Sequence, residues 1–158
     1  MTIASKSVLI FGGTSGIGYA AAEASLKSQA ASVTVISSNL QRVEATVQRL
    51  RSGKFGDGSI KGFAVNVKDE GALKKLLQDI GEVDHIIWSS GDSLPLNWMD
   101  MNLEAMKGIS YHMYVACLTF CYWLDSFDVR FWGAVIVAHN AKFRPGGSFT
   151  LTTGMSLI

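Results

Sequence analysis

Charge of one sign, cysteine and long apolar runs are all scarce in this chain, and each shortage excludes something. Lys and Arg number 14 against 13 Asp and Glu in 158 residues, for a net charge of +1. No basic stripe stands out, so neither nucleic acid nor an acidic membrane surface is an expected partner. No apolar run reaches the roughly 18–20 residues that a membrane-spanning helix needs. Met1-Thr2-Ile3-Ala4-Ser5-Lys6 lacks the apolar segment of a secretory signal. The two cysteines, Cys117 and Cys121, would share a face of a helix, but a metal site there would still need further ligands. Buried or incidental thiols in a reducing compartment are the plainer reading, and no metal site is expected. The totals describe one soluble, cytoplasmic α/β domain spanning 1–158, long enough for a proper core.

What is present is organised around Val8-Leu9-Ile10-Phe11-Gly12-Gly13-Thr14-Ser15-Gly16-Ile17-Gly18. Val8 to Phe11 is a short apolar run of the kind buried on both faces of a sheet. A turn of glycines and small hydroxyls follows, and Tyr19 to Ala30, rich in Ala with Glu, Leu and Lys, favours helix. Strand, glycine turn and helix together make a phosphate cradle. Glycines let the backbone approach the ligand, and the helix N-terminus offers N–H groups and the positive end of its dipole. The spacing is G-x-x-x-G-x-G (Gly12, Gly16, Gly18), which differs from G-x-G-x-x-G.

The rest alternates strand with helix. Ala31 to Ile36 reads as a second strand, Leu40 to Leu50 as a helix with Leu40, Val43, Val47 and Leu50 on one face, and Ile60 to Val65 as a third strand. Asp69 to Ile80 reads as a helix facing inward through Leu73, Leu76, Leu77 and Ile80, and Val83 to Trp88 as a fourth strand. Strict alternation implies a doubly wound parallel sheet. The second strand ends in Ser37-Ser38-Asn39, with Arg42 one helical turn later, where an acidic residue would bind the ribose 2′-hydroxyl of NAD. Neutral donors and a nearby cation favour NADP. The same residues also read simply as a helix N-cap cluster with a solvated Arg42, and both readings can hold together.

At this point the chain resembles the short-chain dehydrogenase/reductase family. The family's T-G-x-x-x-G-I-G matches Phe11 to Gly18, with Phe11 in place of Thr. Its acidic residue after the third strand falls on Asn66, and its N-N-A-G falls on Trp88-Ser89-Ser90-Gly91, where only the glycine is kept. Val83 to Asp92 resembles the V-D-H-I-V-x-T-A-G-D of an atypical branch common in fungi and bacteria. The resemblance implies a Rossmann-like α/β fold, NADP as cofactor and a small-molecule substrate, with a homo-oligomer left open. It implies cofactor contacts at Gly12, Thr14, Ser15, Gly16, Ile17, Gly18, Ser37, Ser38, Asn39, Arg42, Asn66, Ser90 and Gly91. Arg130, at the position of the family's fourth-helix Asn, is a further candidate for reaching cofactor or substrate.

Two features depart from the family. Ile109 to Ser126 has no counterpart there. It holds both cysteines and three of the four tyrosines but no Lys, Arg or Glu. It reads either as a translated, unspliced short intron or as a genuine apolar insertion. The second departure is the missing Tyr-x-x-x-Lys, in which the Lys charge lowers the pKa of the phenol that acts on the substrate oxygen. Tyr19, Tyr111, Tyr114 and Tyr122 are followed four residues later by Glu23, Val115, Leu118 and Ser126. The family's carbonyl-polarising Ser falls at Thr153 or Gly154, so Thr153 is the one catalytic candidate, against the plainer reading of a strand-end hydroxyl. His139 reads as surface or packing.

Past the insertion, Gly133 to Lys142 is expected to continue a helix, Arg144 to Gly147 to break the chain, and Ser148 to Gly154 to form a fifth strand. The family's later elements have no counterpart in these residues, so the sheet reads as incomplete at its C-terminal side, and the chain as truncated before the Tyr-x-x-x-Lys segment. Three functions are expected to compete. The first is an NADP-dependent oxidoreductase acting on a carbonyl or alcohol, in secondary metabolism by analogy with fungal relatives. The second is an inactive dinucleotide-binding relative, and the third a non-redox use of the pocket.

Overall fold

The computed structural model describes residues 2–91 and 128–152. The expected insertion at 109–126, both cysteines and Thr153 lie outside the described residues. Five strands form one parallel sheet: β1 (Ser7–Phe11), β2 (Ser32–Ser37), β3 (Ser59–Ala64), β4 (Glu82–Trp88) and β5 (Lys142–Leu151), in the order β3-β2-β1-β4-β5. The helices are α1 (Gly16–Lys27), α2 (Leu40–Ser52), α3 (Glu70–Ile80) and α4 (Gly133–Asn140), the last entered through a π-helical turn at Asp128–Trp132.

The period of two along a strand sorts the core into two layers. Val8 and Ile10 of β1, with Val33 and Val35 of β2, pack against Ala22 and Leu26 of α1 and Val43, Val47 and Leu50 of α2. Leu9 and Phe11, with Ile36, Ile86 and Trp88, pack against Leu73, Leu76 and Leu77 of α3 and Ala134 and Val137 of α4. Helices therefore cover both faces, as a doubly wound sheet requires, and central β1 is buried on each. Packing overrides the predicted stripes at their ends: Leu40, in the first turn of α2, is 57% exposed.

Several boundaries differ from the sequence reading, and three of the differences have a visible cause. Helix α1 starts at Gly16, inside the glycine turn, and stops at Lys27, because Gln29 takes a positive φ of 62° that a helix cannot continue. Helix α4 ends at Asn140, whose side-chain amide donates to Ile136 O at 2.7 Å, and Ala141 is already extended. The predicted break at Arg144 to Gly147 lies within β5. Lys142 and Phe143 pair with Glu82 and Val83, residues 144–147 bulge out, and Ser148 to Leu151 pair with His85 to Trp88. Among the described residues β5 contributes no fully buried side chain, and its Leu151 is 43% exposed.

The bulge has a local purpose. Asp84 is buried at the lower, N-terminal end of the sheet and accepts from Ser7 N at 2.8 Å and Ser7 Oγ at 2.9 Å. It also accepts from Lys6 Nζ at 3.3 Å and from Arg144 Nη1, carried by the bulge, at 3.0 Å. The Ser7 backbone N–H, above all, holds its carboxyl well below the usual carboxylate range. The Ser7 hydroxyl and Lys6 act the same way, against the opposing push of burial.

Candidate functional site

A cleft of about 550 Å³ opens at the upper, C-terminal ends of the strands. It lies where the chain order reverses between β1 and β4, the position at which open α/β sheets bind ligands. Gly12, Thr14, Ser15, Ser37, Ser38, Arg42, Asn66, Ser90 and Gly91, all expected from the sequence, line it. Four further residues do so: Val67, Lys68, Ser89 and Val129. Among the described residues none that lines it is acidic.

Glycine is required at two points of the floor. Gly12 has φ +77°, and a Cβ there would lie 2.7 Å from the backbone of Ser89 and Ser90. A Cβ on Gly18 would strike the Gly12 carbonyl oxygen and Ser89 Oγ, so α1 sits directly on the turn. Hydrogen bonds hold the turn in place. Gly12 N donates to Ile36 O at 2.8 Å, and Ser89 donates to Phe11 O from both its N and its Oγ at 2.9 Å. Sequence reasoning passed over Ser89. Its signal was that a small polar residue directly follows the strand paired with β1.

The helix ends differ. Asn39 Oδ1 accepts from Arg42 N at 3.0 Å and Asp69 Oδ1 from Ala72 N at 2.9 Å, so α2 and α3 are capped by their own residues. Ser15, in the same position before α1, makes no side-chain cap, and α1 has no acidic residue in its first turn. The first amides of a helix have no intrahelical partner, so this end is chemically suited to an anion.

The remaining predicted residues divide. Gly16 and Ile17 stand in the first turn of α1 without lining the cleft, with Gly16 at φ +51° and Ile17 67% exposed. Asn39 is a helix cap. Arg42 lines the cleft and donates from Nη2 to Ser15 Oγ at 3.3 Å, and of the Ser37 to Asn39 cluster it is Asn39 that caps α2. Asn66 lines the cleft while its Oδ1 accepts from Lys68 N at 3.1 Å. Arg130 is brought in from the π-helical turn, 39 positions beyond Gly91 in the chain. A Cβ on Gly91 would lie 3.1 Å from its guanidinium carbon, so the cation rests on the end of β4 at the edge of the cleft.

Trp88 stands where the family has Asn and does structural work. It is buried beneath the cleft, 4.8 Å from the Phe11 ring, and fits because Gly133 has no side chain. A Cβ on Gly133 would lie 2.8 Å from the indole. The indole N–H finds no acceptor among the described residues.

The comparisons agree with this fold. Residues 1–156 match the family model described as an SDR-like Rossmann domain. The short-chain dehydrogenase/reductase ucsE of an Acremonium species is 31% identical, over 95% of this chain and 56% of its own length. Among solved structures, the MalC reductase/Diels–Alderase of Malbranchea aurantiaca superposes with a TM-score of 0.70 at 23% identity, over 96% of this chain and 57% of that one. L-Sorbose reductase of Gluconobacter frateurii, solved with NADPH and L-sorbose, gives a TM-score of 0.64 at 21% identity, over 89% of this chain and 48% of that one. The chain belongs to the short-chain dehydrogenase/reductase family. It spans a little over half the length of the curated relatives it matches.

Proposed function

We propose that this chain is the dinucleotide-binding part of an NADP-dependent oxidoreductase acting on a carbonyl or alcohol of a small molecule. One observation carries the choice of NADP. The wall of the cleft after β2 is Ser37, Ser38 and Arg42, with no carboxylate to bind a 2′-hydroxyl or repel a 2′-phosphate. In this reading the diphosphate sits over Gly12 and the first turn of α1, Arg42 faces the 2′-phosphate, and Asn66 borders the adenine. Ser90, Gly91 and Arg130 flank the ribose toward the nicotinamide. The bound cofactor supplies the hydride. The chain's own residues hold it. Thr153 is the hydroxyl proposed to polarise the carbonyl.

Fluorescence titration with NADPH and NADH tests the binding step. Saturable binding with NADPH at least about tenfold tighter is expected, the worth of one well-placed charged contact. Absence of saturable binding, or a preference for NADH, overturns the reading.

A further inference from the structure

Two hydroxyls of the glycine turn are tied to the end of β2 and to the first turn of α2. Thr14 Oγ1 donates to Ser37 Oγ at 3.3 Å, and Arg42 Nη2 donates to Ser15 Oγ at 3.3 Å. Ser15 has the extended backbone (φ −157°, ψ 168°) from which a serine hydroxyl ordinarily turns back to accept from an amide of the first helical turn. That bond is not made, although Asn39 and Asp69 make it for α2 and α3. The Ser15 oxygen instead accepts from Arg42, a residue of α2. Ser15 caps nothing, and the amides it would have satisfied stay available at the floor of the cleft.

We infer that Arg42 is a positioning residue for the phosphate cradle as well as a cation beside it. By holding Ser15 Oγ, it keeps the first-turn amides of α1 open to a diphosphate. Recognition at the 2′ position and recognition of the diphosphate are therefore coupled through one side chain. The inference rests on the dinucleotide reading above and predicts something that reading does not. Arg42 matters even for a dinucleotide with no 2′-phosphate, because loss of the guanidinium frees Ser15 to cap α1 in competition with the ligand.

The test uses the whole 158-residue chain, titrated with NADPH and NADH as wild type, Arg42→Ala, Ser15→Ala and the double variant. Arg42→Ala is expected to weaken NADH by about threefold to tenfold, the size of one capping hydrogen bond. In the Ser15→Ala background the same change is expected to leave NADH affinity unaltered, a non-additivity that loss of a surface charge would not produce. If Arg42→Ala weakens NADPH alone, or weakens NADH equally in both backgrounds, the inference is overturned while the NADP assignment stands. If wild type binds neither dinucleotide, the NADP assignment fails and amide hydrogen exchange decides the inference. Slower exchange at Ile17 or Gly18 in unliganded Arg42→Ala supports it, and unchanged exchange overturns it.

Discussion

The two ends of the sheet carry polar clusters of opposite character. At the lower end Asp84 is buried and accepts from Ser7, Lys6 and Arg144, so its oxygens are occupied by donors from within the chain. At the upper end the polar groups line a cleft of about 550 Å³, and the helix that opens there is uncapped. A saturated cluster fastens strands together, whereas an unsaturated one is left for a ligand to complete. Both ends contain Ser and Arg, but only the lower one contains a carboxylate, Asp84, for them to donate to. What distinguishes them is whether the chain supplies the partners itself.

The largest test of this contrast is at the lower end. Asp84→Ala should destabilise the fold by about 2–4 kcal/mol in urea denaturation, because it strands the Ser7 N–H and hydroxyl and removes the carboxylate between Lys6 and Arg144, of which only Arg144 keeps a second one, Glu82 at 3.7 Å. The nucleotide affinity of the folded protein should not change, and a parallel loss of affinity would show that the two ends are not independent. The same group sets an acid response. Its folded-state pKa is depressed, so its contribution to stability is whole above the unfolded value of about 4 and is lost as pH falls below it. Asp84→Asn should flatten that acid limb of the stability–pH curve.

Gly12→Ala comes next. With φ +77° and a Cβ 2.7 Å from the Ser89–Ser90 backbone, it should cost about 2 kcal/mol of stability and more than about tenfold in dinucleotide affinity. It is the one change expected to damage both fold and site. Arg42→Ala should reduce NADPH affinity about thirtyfold to a hundredfold, the lost 2′-phosphate contact multiplying the effect on the cradle, while thermal unfolding moves by less than about 0.5 kcal/mol. The smallest effect belongs to Asn39→Ala, which should cost about 1 kcal/mol of stability through the lost cap. If it instead abolishes NADPH binding with no loss of stability, Asn39 is a ligand contact rather than a cap.

Much of the fold could be read from local pattern. The burial of β1 on both faces follows from four consecutive apolar residues, and the inward faces of α2 and α3 follow from Val43, Val47 and Leu50, and from Leu73, Leu76 and Leu77. The parallel sheet followed from the order of elements. What could not be read was wherever contacts join distant parts of the chain. Arg144 looked like part of a loop break because nothing near it in sequence needs a cation, and its partner Asp84 lies 60 positions earlier. Trp88 looked like a degraded motif, until packing set it between Phe11 and Gly133. Ser89 and Lys68 escaped notice because the fingerprint concerns the glycines and not the residues that wall the cleft around them.

The sequence alone determined the strand–glycine–helix unit and the absence of acid after β2, since both depend on residue type at short spacing. Only the tertiary structure decided what those features are attached to. Closing β1 against β2 and β4 brings Ser89 onto Phe11 and Arg42 onto Ser15, and packing of α4 on Trp88 brings the guanidinium of Arg130 onto Gly91. Hydrogen bonds and packing act over a few ångströms of space, whatever the separation in the chain. The same sheet that occupies Asp84 at one end therefore leaves the first turn of α1 open at the other.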